Sequence, residues 1–472
     1  MKRIINILSV AVTISAFIGC GEKYDDDFNL INGINGDTIK VNKFVMDLVS
    51  DAYLWEDEID WAKFEKSYTT YGDPYKLFED MRHEDDHWSM LTDDIDGLEG
   101  EFQGTSLSFG WRIVRGRFTN SQTSFYIVLY AYPGTPADKA GIERGDIIVK
   151  IDGQDITEDN YLDLYYSTSV SVTKGIYNRE TGSISVSGTT VSLNAVEMYQ
   201  NPINKDTVIV KGANRIGYLC YTDFLDKSEA DLIRVFSGFK SRGVTDVVLD
   251  LRYNPGGYVR TSIVLSSILA PLNTVRNRDV YQVQIWNRAY TEYYQSKGDD
   301  MKEYFTDTLP VNMELSRVFI LATENSASAS EATIIALEPY MDVVTVGGQT
   351  SGKFCGGGLI SPANVYSDRN YYKNIANWGM YIMYFRYTNK TGKYFFTGLD
   401  PDIKAEEDYF DLKPFGDTSD PLLATAVARI TGETYTSPRS ASPVKSPDYR
   451  ILPDTGPKKY RTGVMIGDKR LK

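Results

Sequence analysis

Apolar and polar positions follow three different rhythms along the chain. Between residues 42 and 94 the spacing is helical. In "NKFVMDLVSDAYLW" Asn42 precedes Phe44, Val45, Leu48 and Ala52 on one face. In "DPYKLFEDMR" Asp73 caps and Pro74 opens a helix with Leu77, Phe78 and Met81 inward. From about Glu101 the pattern shortens to β-branched and aromatic runs, "SLSFGWRIV" and "SFYIVLYAYP", which predict strands. "GTPADKAGIERGDIIVKIDGQDIT" then predicts a turn, a short helix closed by Gly141, a Gly145-Asp146 turn, and a strand from Ile147 to Ile151 ending in an Asp152-Gly153 turn. "SISVSGTTVSLNAV" predicts two further strands.

From Arg215 strand and helix patterns alternate: "RIGYLCYTDF", "SEADLIRVFSGFKSRG", "DVVLDLRYNPGG", "RVFILATENS", a helix from about Ser330, and "VVTVGGQTSGK". Leu232, Val235, Phe236 and Phe239 share one helical face. Such alternation predicts an α/β layer with largely parallel strands. "DPLLATAVARITG" closes it as a helix capped by Asp420. Beyond Gly432 the chain is rich in Pro, Ser, Lys and Arg without apolar periodicity, and a flexible tail over 436–472 is expected.

A length of 472 residues implies two to four domains. The net charge of −14, with no dense basic stretch, argues against nucleic-acid binding. "MKRIINILSVAVTISAFIGC" joins Lys2 and Arg3 to an apolar run too short to span a bilayer, as a signal peptide over 1–19 does. Small residues before Cys20 resemble a bacterial lipobox, which makes Cys20 the lipidated residue and 20–40 a tether. The acidic "EKYDDDF" resembles signals of Gram-negative surface lipoproteins, so an outer-membrane location, on the periplasmic face or the cell surface, is expected. Cys220 and Cys355 are too few for a disulfide framework. His83 and His87, the only histidines, stand four apart in "RHEDDHWS" with no third ligand evident, so neither a metal nor a cofactor is expected.

"ENSASASEATII" places Ser326, Ser328 and Ser330 at a strand-to-helix turn, where unpaired helix N–H groups can stabilise an oxyanion. A serine needs a base. With both histidines in the N-terminal region, Lys353 of "TSGKFCGGG" is the candidate. It has no acidic sequence neighbour, and burial would have to bring its pKa from about 10.4 to roughly 7–8. Residue chemistry alone does not choose among the three serines.

Two resemblances extend this picture. Residues 134–157 resemble the PDZ signature, which implies binding of an extended peptide, often a C-terminus, on a sheet edge. The carboxylate loop would fall at Ser108, Phe109, Gly110 and Trp111. "VVLDLRYNPGG", "ENSASASEATII" and "VGGQTSGK", in that order, resemble the carboxyl-terminal processing proteases of peptidase family S41. That resemblance implies an α/β multidomain chain: a small N-terminal helical module (41–98), a PDZ domain (99–200), and a protease core related to the crotonase and Clp protease folds (205–435). It assigns Ser328 as nucleophile, Lys353, 25 residues on, as base, and the N–H groups of Gly257 and Ala329 as oxyanion hole; Gly256 is the weaker alternative to Gly257. Many members carry Gln four residues after the lysine, where this chain has Gly357. The implied function is a Ser/Lys endopeptidase acting on exported or unstructured polypeptides recognised by their C-terminal tails. The alternative is a catalytically weak or inactive peptide-binding lipoprotein.

Overall fold

The computed structural model describes residues 34–119, 121–435, 449–452 and 464–467. The amphipathic N-terminal segment forms helices Gly36–Ala52 and Pro74–Met81. Phe44, Val45, Leu48, Leu77 and Phe78 are buried in the hydrophobic cluster that also fills the α/β core. The first helix starts six residues earlier than the periodicity suggested, capped by Asn35. Residues 36–40, expected in a tether, are therefore helical. Asn42 lies inside that helix, buried, with its Nδ2 donating to Tyr68 O and Tyr71 O. A further helix, Ile95–Phe102, is capped by Asp94 and leads towards the strands.

Strands Trp111–Phe118, Ser124–Ala131, Ile147–Ile151, Ser169–Asn178 and Ser183–Asn194 pair in that order, all antiparallel. Their inward residues, including Ile113, Tyr126, Val128, Ile148, Ile151 and Val172, form a separate core. "SISVSGTTVSLNAV" contributes the long strand Ser183–Asn194 and, at Val196, the start of a second, Val196–Tyr199. The long strand's polar positions are too exposed for the alternation to show where it ends.

The alternating region builds a six-stranded sheet: Ile203–Lys211, Asn214–Tyr221, Asp246–Asp250, Arg317–Ala322, Asp342–Gly347 and Ile403–Lys404. Every pairing after the first is parallel. Strand alternation divides the core. Ile216, Tyr218, Cys220, Val248 and Phe319 pack against the closing helix Pro421–Thr431, whereas Leu219, Tyr221, Val247, Leu249 and Ile320 lie in the main cluster, shared with helix Glu229–Ser241 and the serine helix, Ala329–Leu337.

A second core sheet carries the order Gly256–Tyr258, Val464–Ile466, Cys355–Ile360, Gly379–Thr388, Val280–Trp286 and Lys302–Tyr304, with Met90–Thr92 of the helical module also paired to Gly379–Thr388. The tail, expected to be flexible throughout, supplies two strands. Val464–Ile466 lies in this sheet, and Tyr449–Ile451 pairs with Trp111–Phe118. Each is three residues long and borrows an existing sheet edge, so no periodic window reveals it. Cys220 and Cys355 are both free thiols and sit in different clusters.

Candidate active site

The three serines are all buried, and they are used differently. Ser326 Oγ donates to Leu251 O (2.7 Å) and accepts from the Thr323 N–H (3.0 Å). Ser330 Oγ donates to Asn254 O (2.9 Å). Ser328 Oγ has no hydrogen-bond partner among the described residues. It alone is uncommitted. Its backbone stands at φ 61°, ψ −113°, a conformation costing a non-glycine residue about 1–3 kcal/mol. That sharp turn starts the helix at Ala329, whose N–H, as the first in the helix, has no intrahelical acceptor.

Glu331, in the first turn, holds the site together. Its Oε2 accepts from the N–H groups of Ser328 (2.8 Å) and Lys353 (2.9 Å). Its Oε1 accepts from Thr350 Oγ1 (2.6 Å) and the Gly352 N–H (2.7 Å). The Tyr387 hydroxyl lies 3.0 Å from both Ser328 O and Lys353 O. One carboxylate and one phenol thus bring the serine turn and the lysine loop together. Burial pushes the Glu331 carboxyl up to about 7, against the hydrogen bonds from Thr350, Gly352, Ser328 and Lys353.

Lys353 is fully buried. Desolvation lowers its amine to about 8, opposed by Cys355, Asp86 and Glu331. Nζ donates to the Tyr381 hydroxyl (3.3 Å) and lies 5.6 and 5.2 Å from the ring centres of Trp88 and Tyr381. The two candidate side chains are therefore not hydrogen-bonded to each other. Cys355 is buried and its thiol is pushed well above its usual range by desolvation, so it is a packed thiol.

The helical module walls this side of the site. Trp88 meets Phe354 edge to face, Met383 O accepts from the Leu54 N–H, and the Met383 N–H donates to Ser89 Oγ. His83 stacks on Trp55 and bonds Glu58, while His87 is exposed.

The "NPGG" loop docks onto the serine turn through Asn254. Its carbonyl accepts from the Ala327 N–H and from Ser330 Oγ, its Nδ2 donates to Tyr221 O, and its Oδ1 accepts from the Gly256 N–H (2.9 Å). The Gly256 amide is thereby spent, which favours Gly257 as the oxyanion donor. Gly257 has φ 136°, and a Cβ there would stand 2.2 Å from Phe224 O. Only glycine fits.

Sequence patterns matching Peptidase family S41, its N-terminal domain and a PDZ domain cover residues 215–405, 40–90 and 127–170 respectively. Residues 215–405 belong to peptidase family S41. The Bacillus subtilis carboxy-terminal processing protease CtpA is 22% identical over 87% of this chain and 77% of its own. A Picosynechococcus carboxyl-terminal-processing protease is 25% identical over 54% of this chain and 55% of its own. A Staphylococcus aureus protein named "Probable CtpA-like serine protease" is 24% identical over 77% of this chain and 64% of its own, so the chain spans under two thirds of the length of several such relatives. The crystal structure of a Bacteroides fragilis protein named "Putative S41 protease" shares the fold, with a TM-score of 0.66 at 22% identity over 88% of this chain and all of that one.

Within this S41 core, Gly357 occupies the position where the family often has Gln. A Cβ at 357 would stand 2.0 Å from Ile382 O, so no side chain fits. Tyr381 contacts the lysine instead. Neither tyrosine nor Glu331 was assigned to the site from sequence. A glutamate in a first helical turn is by itself only a favourable charge for the helix dipole, and the tyrosines, numerous along the chain, carry no motif.

The four PDZ-loop candidates adjoin one another. Ser108 ends a strand paired with Val196–Tyr199, and its Oγ accepts from the Gly110 N–H (2.9 Å). Phe109 is buried in the PDZ core, and Trp111 begins the strand whose outer edge meets Tyr449–Ile451. Cys20 lies outside the described residues.

Proposed function

We propose that the chain is a serine endopeptidase in which Ser328 and Lys353 act as nucleophile and base on exported or unstructured polypeptides, with the PDZ domain engaging substrate C-terminal tails. The observation that carries this is one uncommitted, strained, buried serine and one buried lysine, its amine lowered towards 8 by desolvation, on two loops that Glu331 and Tyr387 hold together. A side-chain rotation that brings Nζ from Tyr381 to Ser328 Oγ would start the reaction. Neutral Lys353 takes the Oγ proton as Oγ attacks the scissile carbonyl. The N–H groups of Gly257 and Ala329 stabilise the oxyanion. The Lys353 ammonium then protonates the leaving amine, and water, deprotonated by the same amine, hydrolyses the acyl-enzyme.

Ser328→Ala should lower cleavage of an unfolded polypeptide by at least about 10³-fold with unchanged thermal unfolding. Residual cleavage near wild type would refute the assignment. The competing proposal, a peptide-binding lipoprotein without hydrolytic activity, is favoured by one feature, the absence of a Ser328–Lys353 hydrogen bond. Acyl-enzyme trapping on wild type but not on Ser328→Ala decides between them. The lipid anchor is a separate proposal: labelled palmitate should enter the chain in a Gram-negative host and be lost in Cys20→Ser.

A further inference from the structure

The C-terminal segment occupies both edges at which a polypeptide ligand would bind. In the protease core, Val464–Ile466 runs parallel between Gly256–Tyr258 and Cys355–Ile360. On one side Met465 N–H donates to the Tyr381 hydroxyl (2.8 Å), which donates back to Met465 O (2.9 Å), and Gly467 N–H donates to Gly357 O (3.3 Å). On its other side the segment pairs in parallel register, with Gly257 opposite Met465 and Tyr258 opposite Ile466. Phe224 N–H donates to Gly256 O and Tyr258 N–H to Phe224 O, so the N–H and C=O of Gly257 face the tail. The candidate oxyanion donor and the phenol that contacts Lys353 are thus both engaged by the tail.

The slot is built for a backbone. Met465 is fully buried, and a Cβ on Gly356 would stand 2.9 Å from its Cγ. Beyond Gly467 the slot opens into a cavity of about 400 Å³ lined by Trp286, Gln284, Arg260 and Glu303. There Gln284 Oε1 and Trp286 Nε1 are buried without a hydrogen-bond partner among the described residues. An extended chain passing through could supply the missing donor and acceptor.

In the PDZ domain, Tyr449–Ile451 adds antiparallel to Trp111–Phe118, the first strand after the candidate carboxylate loop, and the Leu452 N–H continues the pairing to Arg115 O (2.8 Å). This is the strand-addition mode by which such an edge takes a peptide.

We infer that the chain's own C-terminal segment is a pseudo-substrate: Tyr449–Leu452 fills the PDZ edge, Val464–Gly467 fills the protease slot, and external polypeptides enter only when it leaves. This rests on the peptidase assignment for its consequence and on strand pairing for its geometry. A tethered segment has an effective concentration on the order of 1 mM. If it binds in trans with a Kd of about 0.1 mM, the slot is open about one tenth of the time, and substrate affinity falls by about the same factor.

Two full-length variants test it. Met465→Asp places a charge in the buried slot, and Ile466→Pro removes the amide facing Gly257. Hydrogen exchange at Val464–Gly467 reports release of the tail. Cleavage of an unfolded polypeptide at sub-saturating concentration should rise about tenfold in both. In a Ser328→Ala background, a labelled peptide of residues 460–472 should bind the released chains about tenfold more tightly than the unreleased one. Released tails with neither effect would overturn the inference. Absence of cleavage in wild type and both variants would sink the peptidase assignment alone, because peptide binding still decides whether the tail is a ligand.

Discussion

Lys353 is retained at a cost in stability. Its amine titrates near 8 when folded against 10.5 for the free side chain, mainly because burial disfavours the ammonium form. Between those pH values the unfolded chain binds more protons, so stability contributed by this group rises with pH from about 8 to 10.5. Below 8 the full penalty, about 3 kcal/mol, is present. Lys353→Met should therefore abolish cleavage yet raise the unfolding free energy at pH 7 by about 1–3 kcal/mol, measured in urea. Glu331 is also penalised by burial, which pushes its carboxyl up to about 7, but it is held by four hydrogen bonds. All four of its partners donate, and glutamine can accept on one side only. Glu331→Gln should cost about 3–5 kcal/mol and most of the activity. Stability within 1 kcal/mol of wild type would show that the clamp is dispensable.

At the level of elements, the loops around the site depend on backbone approach rather than on side chains. Installing glutamine at 357 restores a residue common in the family, yet its Cβ would meet Ile382 O at 2.0 Å. Gly357→Gln should destabilise the chain by at least about 2 kcal/mol and lower activity, as read by thermal unfolding and initial rates. What the sequence made legible follows the same division. Helix Pro421–Thr431, with Asp420 capping and Gly432 left-handed at its end, and the five-residue strand Ile147–Ile151 carry local signals strong enough to bound them. The spacing of Ser328 and Lys353 was visible because motifs are contiguous. Tyr381, Tyr387 and Met465 reach the site only through pairing of strands far apart in sequence, and three-residue strands such as Val464–Ile466 bury nothing until another edge receives them. No local pattern encodes such contacts.

Across the whole molecule, a buried ionic network ties the PDZ domain to the "NPGG" loop. Arg252 bonds Asp250, Asp420 and Glu407, and Arg144 of the PDZ signature bonds Glu407 and the Tyr253 hydroxyl, one residue before Asn254. Arg252 is nearly inaccessible, so Arg252→Met would leave carboxylates buried without their main counter-charge. A loss of about 3–5 kcal/mol in urea unfolding is expected. The proposed function turns on one chemical event, the transfer of the Ser328 proton to an uncharged Lys353. The most direct test is the pH dependence of acylation in single turnover between pH 6 and 10. The account predicts a rate that climbs about tenfold per pH unit below 7, bends near 8 and levels above 9, and that vanishes in Lys353→Met. A rate independent of pH across that range, or one that survives loss of the amine, would contradict it.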